Sequence, residues 1–274
     1  VLYNNEVLSE RTVLSLEDII YVLFEIIGLY VYPFFISEAG LLPDSRAGIG
    51  RALLRPYLPP GVARGMAYPD EVFIDLYYKL VEDAAGGLID FDMLRPLLEE
   101  LGCTPEVVFE GGVYTVYLNL WSGKRLRLPQ APSSIRAALP VALALASRGE
   151  PDVVFIEEPE AHLHPRAQRL IARLIARAVN ELGKTVVLTT HSDYILYTIN
   201  NLIALSMNVE RAESLGFHKS EALNPEDVAV YLVKAENGKA ALERLEVTPE
   251  GVSEEEFSRI ARELAEERAR ILSL

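Results

Sequence analysis

Two stretches of this 274-residue chain pass from apolar to polar within a single residue. Residues 153–156 (VVFI) run straight into Glu157, Glu158, Pro159 and Glu160. Residues 185–188 (TVVL) run into Thr189, Thr190, His191 and Ser192. Short β-branched runs without alternation predict strands buried on both faces, as in a parallel sheet. Open sheets of that kind gather their ligands at the carboxyl ends of the strands. The polar residues at these two ends are therefore the first candidates for chemistry.

Elsewhere the spacing is mostly helical. Ser15 with Asp18 three residues later forms a capping pair for a helix over 15–29, followed by an extended 30–37. The apolar stretch 19–36 holds Glu25, Gly28 and Pro33, so it reads as a buried helix leading into a strand, not a membrane span. No basic region precedes it, as a signal peptide requires. Residues 49–58 are helical up to Pro59-Pro60. Val72, Ile74, Leu76, Leu80 and Val81 recur at helical spacing within 70–84, and 90–101 is a second amphipathic helix. Residues 107–109, 113–120 and 125–128 alternate between turns at Glu110-Gly111-Gly112 and Trp121-Ser122-Gly123-Lys124, which predicts a three-stranded antiparallel meander. Helices are expected at 134–148, at 165–182 with Gly183 as stop signal, and from a Ser192 cap to about Leu205. A hairpin pairs 228–234 with 241–247 around Asn237-Gly238. Ser253-Glu254-Glu255-Glu256 opens a last helix whose early acids and later arginines match its dipole.

Glu157-Glu158-Pro159 resembles the Walker B motif and catalytic carboxylate of ABC-type ATPases, in their RecF/SMC/OLD-like branch. Glu160-Ala161-His162-Leu163-His164-Pro165 is similar to that branch's D-loop, and Thr190-His191-Ser192 to its switch histidine. The family usually places Asp where Glu157 stands, and OLD-like members accept Glu. Leu42-Pro43-Asp44-Ser45-Arg46-Ala47-Gly48 resembles an LPxSRxG segment that follows a sheet strand in these ATPases. Arg46 then faces a nucleotide or a partner, or is a solvated loop arginine. Ser133-Ser134-Ile135-Arg136 stands where the family's signature motif opens a helix, without its Gly-Gly; the other reading is an ordinary serine cap after Pro132.

The resemblance implies an α/β fold: an ABC-ATPase-like P-loop NTPase core, mostly parallel sheet flanked by helices, with a helical insertion and a small antiparallel meander. Together with the helical spacing over 70–101, it divides the chain into a partial core segment over 1–58, the insertion over 59–104, and over 105–274 a C-terminal core with signature, Walker B, D-loop and switch histidine. It implies ATP and Mg2+ as cofactors. Glu157 holds the metal, Glu158 orients or deprotonates the attacking water, and His191 donates to the γ-phosphate. Ser133 and Ser134 contact the nucleotide of the opposite subunit in a homodimer, and Glu160, His162 and His164 belong to the D-loop.

The phosphate cradle is missing from these residues. No G-x-x-x-x-G-K-[ST] string occurs. Gly183-Lys184-Thr185 comes nearest, but Ala178 sits where the first glycine belongs, and the pair ends a predicted helix instead of opening one. With Val1 as first residue, the expectation is the C-terminal part of an ATPase whose P-loop lies on an N-terminal segment or another subunit. The alternative is a non-catalytic scaffold that has lost its P-loop.

Charge and cysteine narrow the partners. The net charge is −14, with 40 acidic against 26 basic residues, so a broad nucleic-acid footprint is disfavoured. A DNA, repair or defence partner has no support from charge. One cysteine, Cys103, at an expected helix end, excludes an internal disulfide and fits a reducing, cytoplasmic setting. His162-x-His164 invites a zinc reading with Glu160 or His191 as third ligand, but the D-loop resemblance accounts for both histidines. His218 reads as a surface loop residue. No G-x-S-x-G motif is present and the lone Cys103 sits at an expected helix end, so covalent catalysis has no support. OLD-like nucleases carry a C-terminal Toprim domain with acidic metal sites; the tail after Leu205 is too short and has no comparable motif, so nuclease activity is not implied.

Overall fold

The computed structural model describes residues 2–3, 6–7, 39–52, 68–236 and 239–273. The helix expected over 15–29, the extended 30–37, the helical residues 53–58 and the Asn237-Gly238 turn lie outside these residues. In chain order, β1 (Ala39–Leu42) leads into α1 (Arg46–Ala52). Two longer helices follow, α2 (Tyr68–Ala85) and α3 (Phe91–Leu101). Next comes a meander of β2 (Cys103–Glu110), β3 (Val113–Leu120) and β4 (Arg125–Arg127). Then α4 (Ser133–Ala146), β5 (Val153–Glu157), α5 (Pro165–Leu182), β6 (Thr185–Thr189) and α6 (Asp193–Leu205) alternate. A ribbon of β7 (Val230–Glu236) and β8 (Lys239–Leu245) precedes the terminal helix α7 (Glu255–Leu272).

The central layer is a parallel sheet in the order β1-β5-β6, with Leu42 beside Ile156 and Ile156 beside Leu188. Side chains of a strand alternate between its faces. Val154 and Ile156 enter the main core beneath α2, α3, α4 and α5, while Val153 and Phe155 join Leu41 on the opposite face. β5 is buried along its length until Glu157. β1 comes so close to the loop before β5 that a Cβ on Gly40 would lie 2.7 Å from Pro151 Cγ. The expectation of two strands buried on both faces holds for β5 and needs correcting for β6. Among the described residues β6 is an edge strand: Val186 and Leu188 pack on the core, while Val187 turns to the other face and is exposed.

The helix α4 is buried nearly all round, from Ala137 to Ala146, because alanine at five of those positions lets neighbouring elements close on its backbone. α2 and α3, expected as an insertion, contribute Phe73, Leu80, Leu94 and Leu97 to the same hydrophobic cluster as α4. Gly102, left-handed at φ 66°, ends α3 one residue before Cys103. Cys103 therefore opens β2 instead of ending a helix, and burial pushes its thiol up to about 11. Gly183 ends α5 in the same way at φ 67°. The following Lys184 turns inward and donates to the carbonyls of Gly149 and Pro151. The β7–β8 ribbon is shifted two residues from its expected limits toward the turn. Among the described residues no helix is long and apolar enough to cross a membrane.

Asp90 caps α3, its Oδ1 accepting from Met93 N at 3.1 Å. The hydrogen bond from Arg148, joined by that from Met93 N, holds the Asp90 carboxyl below its ordinary range despite partial burial. Asp90→Ala should cost about 1 kcal/mol in urea unfolding. A depressed folded-state pKa stabilises above the unfolded value and loses that stabilisation as pH falls through the folded one. The gap between wild type and variant should accordingly be full near neutrality and close under acid; an equal gap at all pH values would mean the carboxylate charge is irrelevant.

Candidate functional site at the carboxyl end of the sheet

Glu157 is the last residue of β5, and its Oε2 accepts from Asp44 N at 3.1 Å, on the loop after β1. The next residue leaves the strand abruptly. Glu158 is left-handed at φ 42°, a conformation uncommon outside glycine and costing on the order of 1 kcal/mol or more. Three bonds hold it there: Glu158 N donates to Thr189 O at 3.0 Å, and its carbonyl accepts from Arg46 Nη2 at 2.7 Å and Ala161 N at 2.9 Å. The sharp turn separates the directions of two consecutive carboxylates. His191, just beyond β6, brings Nε2 to 3.8 Å from Glu158 Oε1. The His191 side chain is 83 % exposed and that of Glu158 42 %, so both are open to a ligand from the same side of the sheet.

Arg46 is neither in solvent nor at an open surface. It is fully buried, and it corrects both sequence expectations for this residue. Its Nε donates to Ala137 O on α4 at 3.0 Å, Nη1 to Pro43 O at 2.9 Å and to Glu157 O at 2.6 Å, and Nη2 to Glu158 O. One guanidinium thus fastens the β1 loop, α4 and the end of β5 together. Burial lowers its pKa to about 10, opposed by Asp44, Glu160, Glu157 and Glu158, and it stays a cation at neutral pH. Nothing in the sequence marks this role, since an arginine in an LPDSRAG segment reads as loop.

Residues 160–164 and 190–192 are joined directly. Glu160 Oε1 accepts from Thr190 Oγ1 and from His191 N, each at 2.8 Å. Ser192 caps α6 by accepting from Tyr194 N and Ile195 N, and donates to Gln168 Oε1 at 2.6 Å. His162 is exposed and left-handed at φ 63°. His164 is the N-cap of α5, with Nδ1 accepting from Arg166 N. Ser133 and Ser134 occupy the first turn of α4, half-buried; the cap position belongs to Pro132, so neither serine is a helix cap. They are tied to the carboxylates through the Arg46 bond to Ala137 on the same helix. Glu157, Glu158, Glu160 and His191 share one sheet end, and His162, His164, Ser133 and Ser134 stand at helix starts or turns around it.

Among the described residues no three His, Cys, Asp or Glu are grouped to hold a metal ion. Mg2+ does not need such a cage, because it takes one or two carboxylates and completes its shell with water and substrate phosphate. The oxygen donors here suit it. Asp44, Glu157, Glu158 and Glu160 all act on the buried cation Arg46, leaving an excess of negative charge at the strand end.

Comparison with known proteins places these elements in context. A family model described as "AAA domain, putative AbiEii toxin, Type IV TA system" matches residues 57–196, just over half of the chain. Over 164 residues the chain is 33% identical to a putative ABC transporter ATP-binding protein of Methanopyrus kandleri, covering 55% of this chain and 53% of that protein. Over 72 residues it is 40% identical to an energy-coupling factor transporter ATP-binding protein of Carboxydothermus hydrogenoformans, covering 26% of this chain and 25% of that protein. The match thus spans about half the length of the first relative and a quarter of the second. Among solved structures, an SMC head bound to the C-terminal winged-helix domain of ScpA gives a TM-score of 0.46 at 13% identity, over 82% of this chain and 61% of that one.

Proposed function

The chain belongs to the AAA-domain family of putative AbiEii toxins of type IV toxin–antitoxin systems, and on that premise we propose that its sheet end is the hydrolytic half of an ABC-type ATP site. The family agrees with the ABC-type P-loop ATPase resemblance carried by the motifs. The single observation that supports hydrolysis is the placement of Glu158, turned out of the central strand with His191 at 3.8 Å. Attack of water on a γ-phosphate needs charge neutralisation and a group that orients the water. Glu157 would hold Mg2+, which shields phosphate charge when bound with ATP. Glu158 accepts the proton of the attacking water, and His191 donates a hydrogen bond to the γ-phosphate.

Ser133 and Ser134 complete the site of a second subunit, with the amides of the first turn of α4 facing its phosphate. A P-loop supplied by a preceding segment or another subunit carries most of the remaining phosphate contacts, in a cytoplasmic homodimer. The scaffold reading rests on the absence of a P-loop string from these 274 residues.

The test is trans-complementation in an ATP-hydrolysing protein that contains this chain and a P-loop. Ser134→Arg should be inactive alone, because a bulky cation fills the helix start. Mixed with a Glu158→Gln chain it should regain part of the activity, since one composite site then holds both intact groups. Full activity of Ser134→Arg at dilutions where it is monomeric would remove the dimer. Absence of hydrolysis in the unaltered protein would favour the scaffold.

A further inference from the structure

We infer that Glu160 is the positioning residue for His191, and that through it the D-loop and the switch segment behave as one unit. One oxygen of its carboxylate carries the link: Oε1 accepts both Thr190 Oγ1 and His191 N. Thr190 Oγ1 in turn accepts from Ser192 N at 3.0 Å, so the hydroxyl passes the constraint one residue beyond the histidine. A second stitch runs in parallel. Gln168 Nε2 donates to the D-loop carbonyl of Leu163 at 2.9 Å while its Oε1 accepts from Ser192. Residues 160–163 and 190–192 are thereby held at two points, on either side of the histidine.

The other carboxylate oxygen shows that the arrangement has a cost. Glu160 Oε2 is buried without a hydrogen-bond partner, which is unfavourable for an acceptor removed from water. Its partner Oε1 satisfies the backbone of the residue whose imidazole lies beside Glu158. The His191 side chain is 83 % exposed and has little packing of its own, so the bond that its main-chain N–H donates to Glu160 is what sets its place. The carboxylate touches neither substrate nor reacting atoms on this reading and acts only through His191.

The structural part stands without the ATPase reading; the kinetic part rests on it, and the two are tested separately. Amide hydrogen exchange of the chain is measured for wild type, Glu160→Ala and Glu160→Gln. In Glu160→Ala the His191 amide should exchange about tenfold faster, the effect of losing one charge-assisted bond, while Phe155 and Ile156 in β5 keep their protection. Glu160→Gln retains an acceptor oxygen and should restore protection of His191. Unchanged exchange at His191 in the alanine variant, or an equal rise at Phe155 and Ile156, overturns the inference. In an ATP-hydrolysing protein containing the chain, Glu160→Ala should lower kcat with KM unchanged, and Glu160→Gln should recover most of kcat. A change confined to KM would overturn the positioning role. A wild-type protein without ATPase activity would instead overturn the proposed function and leave the exchange result intact.

Discussion

Glu158→Gln should lower turnover by about 10²- to 10⁴-fold in an ATP-hydrolysing protein that contains this chain, the range for losing a general base. Glutamine keeps the size of the side chain and an acceptor oxygen but cannot take a proton from water. Nucleotide affinity should therefore persist, and an ATP-bound dimer should accumulate in size-exclusion chromatography. The left-handed turn at Glu158 is made by backbone bonds to Thr189, Arg46 and Ala161, none of which involves the carboxylate. The substitution thus removes chemistry without removing the turn. Turnover within about threefold of wild type corresponds to less than ~1 kcal/mol of barrier and would exclude Glu158 as the base.

The second large effect is on stability. Arg46→Ala should destabilise the chain by roughly 3–5 kcal/mol, the range for breaking a buried charged network by removing one partner. It strips donors from the carbonyls of Pro43, Ala137, Glu157 and Glu158 at once. For a chain of this size that is a fall of roughly 10 °C in thermal unfolding. Arg46→Lys should recover only part of the loss, because an ammonium lacks the planar fork that reaches several acceptors in fixed directions. The same variants release the Glu158 carbonyl, so the strained turn should relax with them. Unfolding within 1 kcal/mol of wild type would show that the guanidinium holds nothing together.

What could be read from the sequence followed the strength of each local signal. α5 was legible from Pro165 to Leu182, and α6 from its Ser192 cap to Leu205, because both combine a helical period with an explicit start or stop residue. β5 was legible as a buried run ending in carboxylates. β1 was signalled only by the segment after it, which resembles one that follows a sheet strand: Ala39-Gly40-Leu41-Leu42 is short, holds a glycine and has no β-branched residue, and pairing with β5 makes it a strand. The β7–β8 ribbon was displaced because its two strands have no buried face to fix their limits. Motif resemblance singled out Glu157, Glu158 and His191, which the fold brings to one sheet end; Arg46 was singled out too, but its buried place was not legible because burial of a charge is a tertiary event. The left-handed turn had no signal either, since glutamate has no preference for that conformation.

The alanine-lined α4 divides the chain into positions of very different tolerance. Ala138, Ala142, Ala144 and Ala146 are fully buried, and any larger side chain there must displace a neighbour in a closely packed interior. Ser133 and Ser134, on the first turn of the same helix, retain partial exposure. The helix is a fixed shaft with an adjustable tip: residues at the tip can be exchanged to retune what it meets, while the shaft keeps the tip's position constant. For protein engineering, the first turn of α4 is thus the place to graft new recognition onto this scaffold without redesigning its interior.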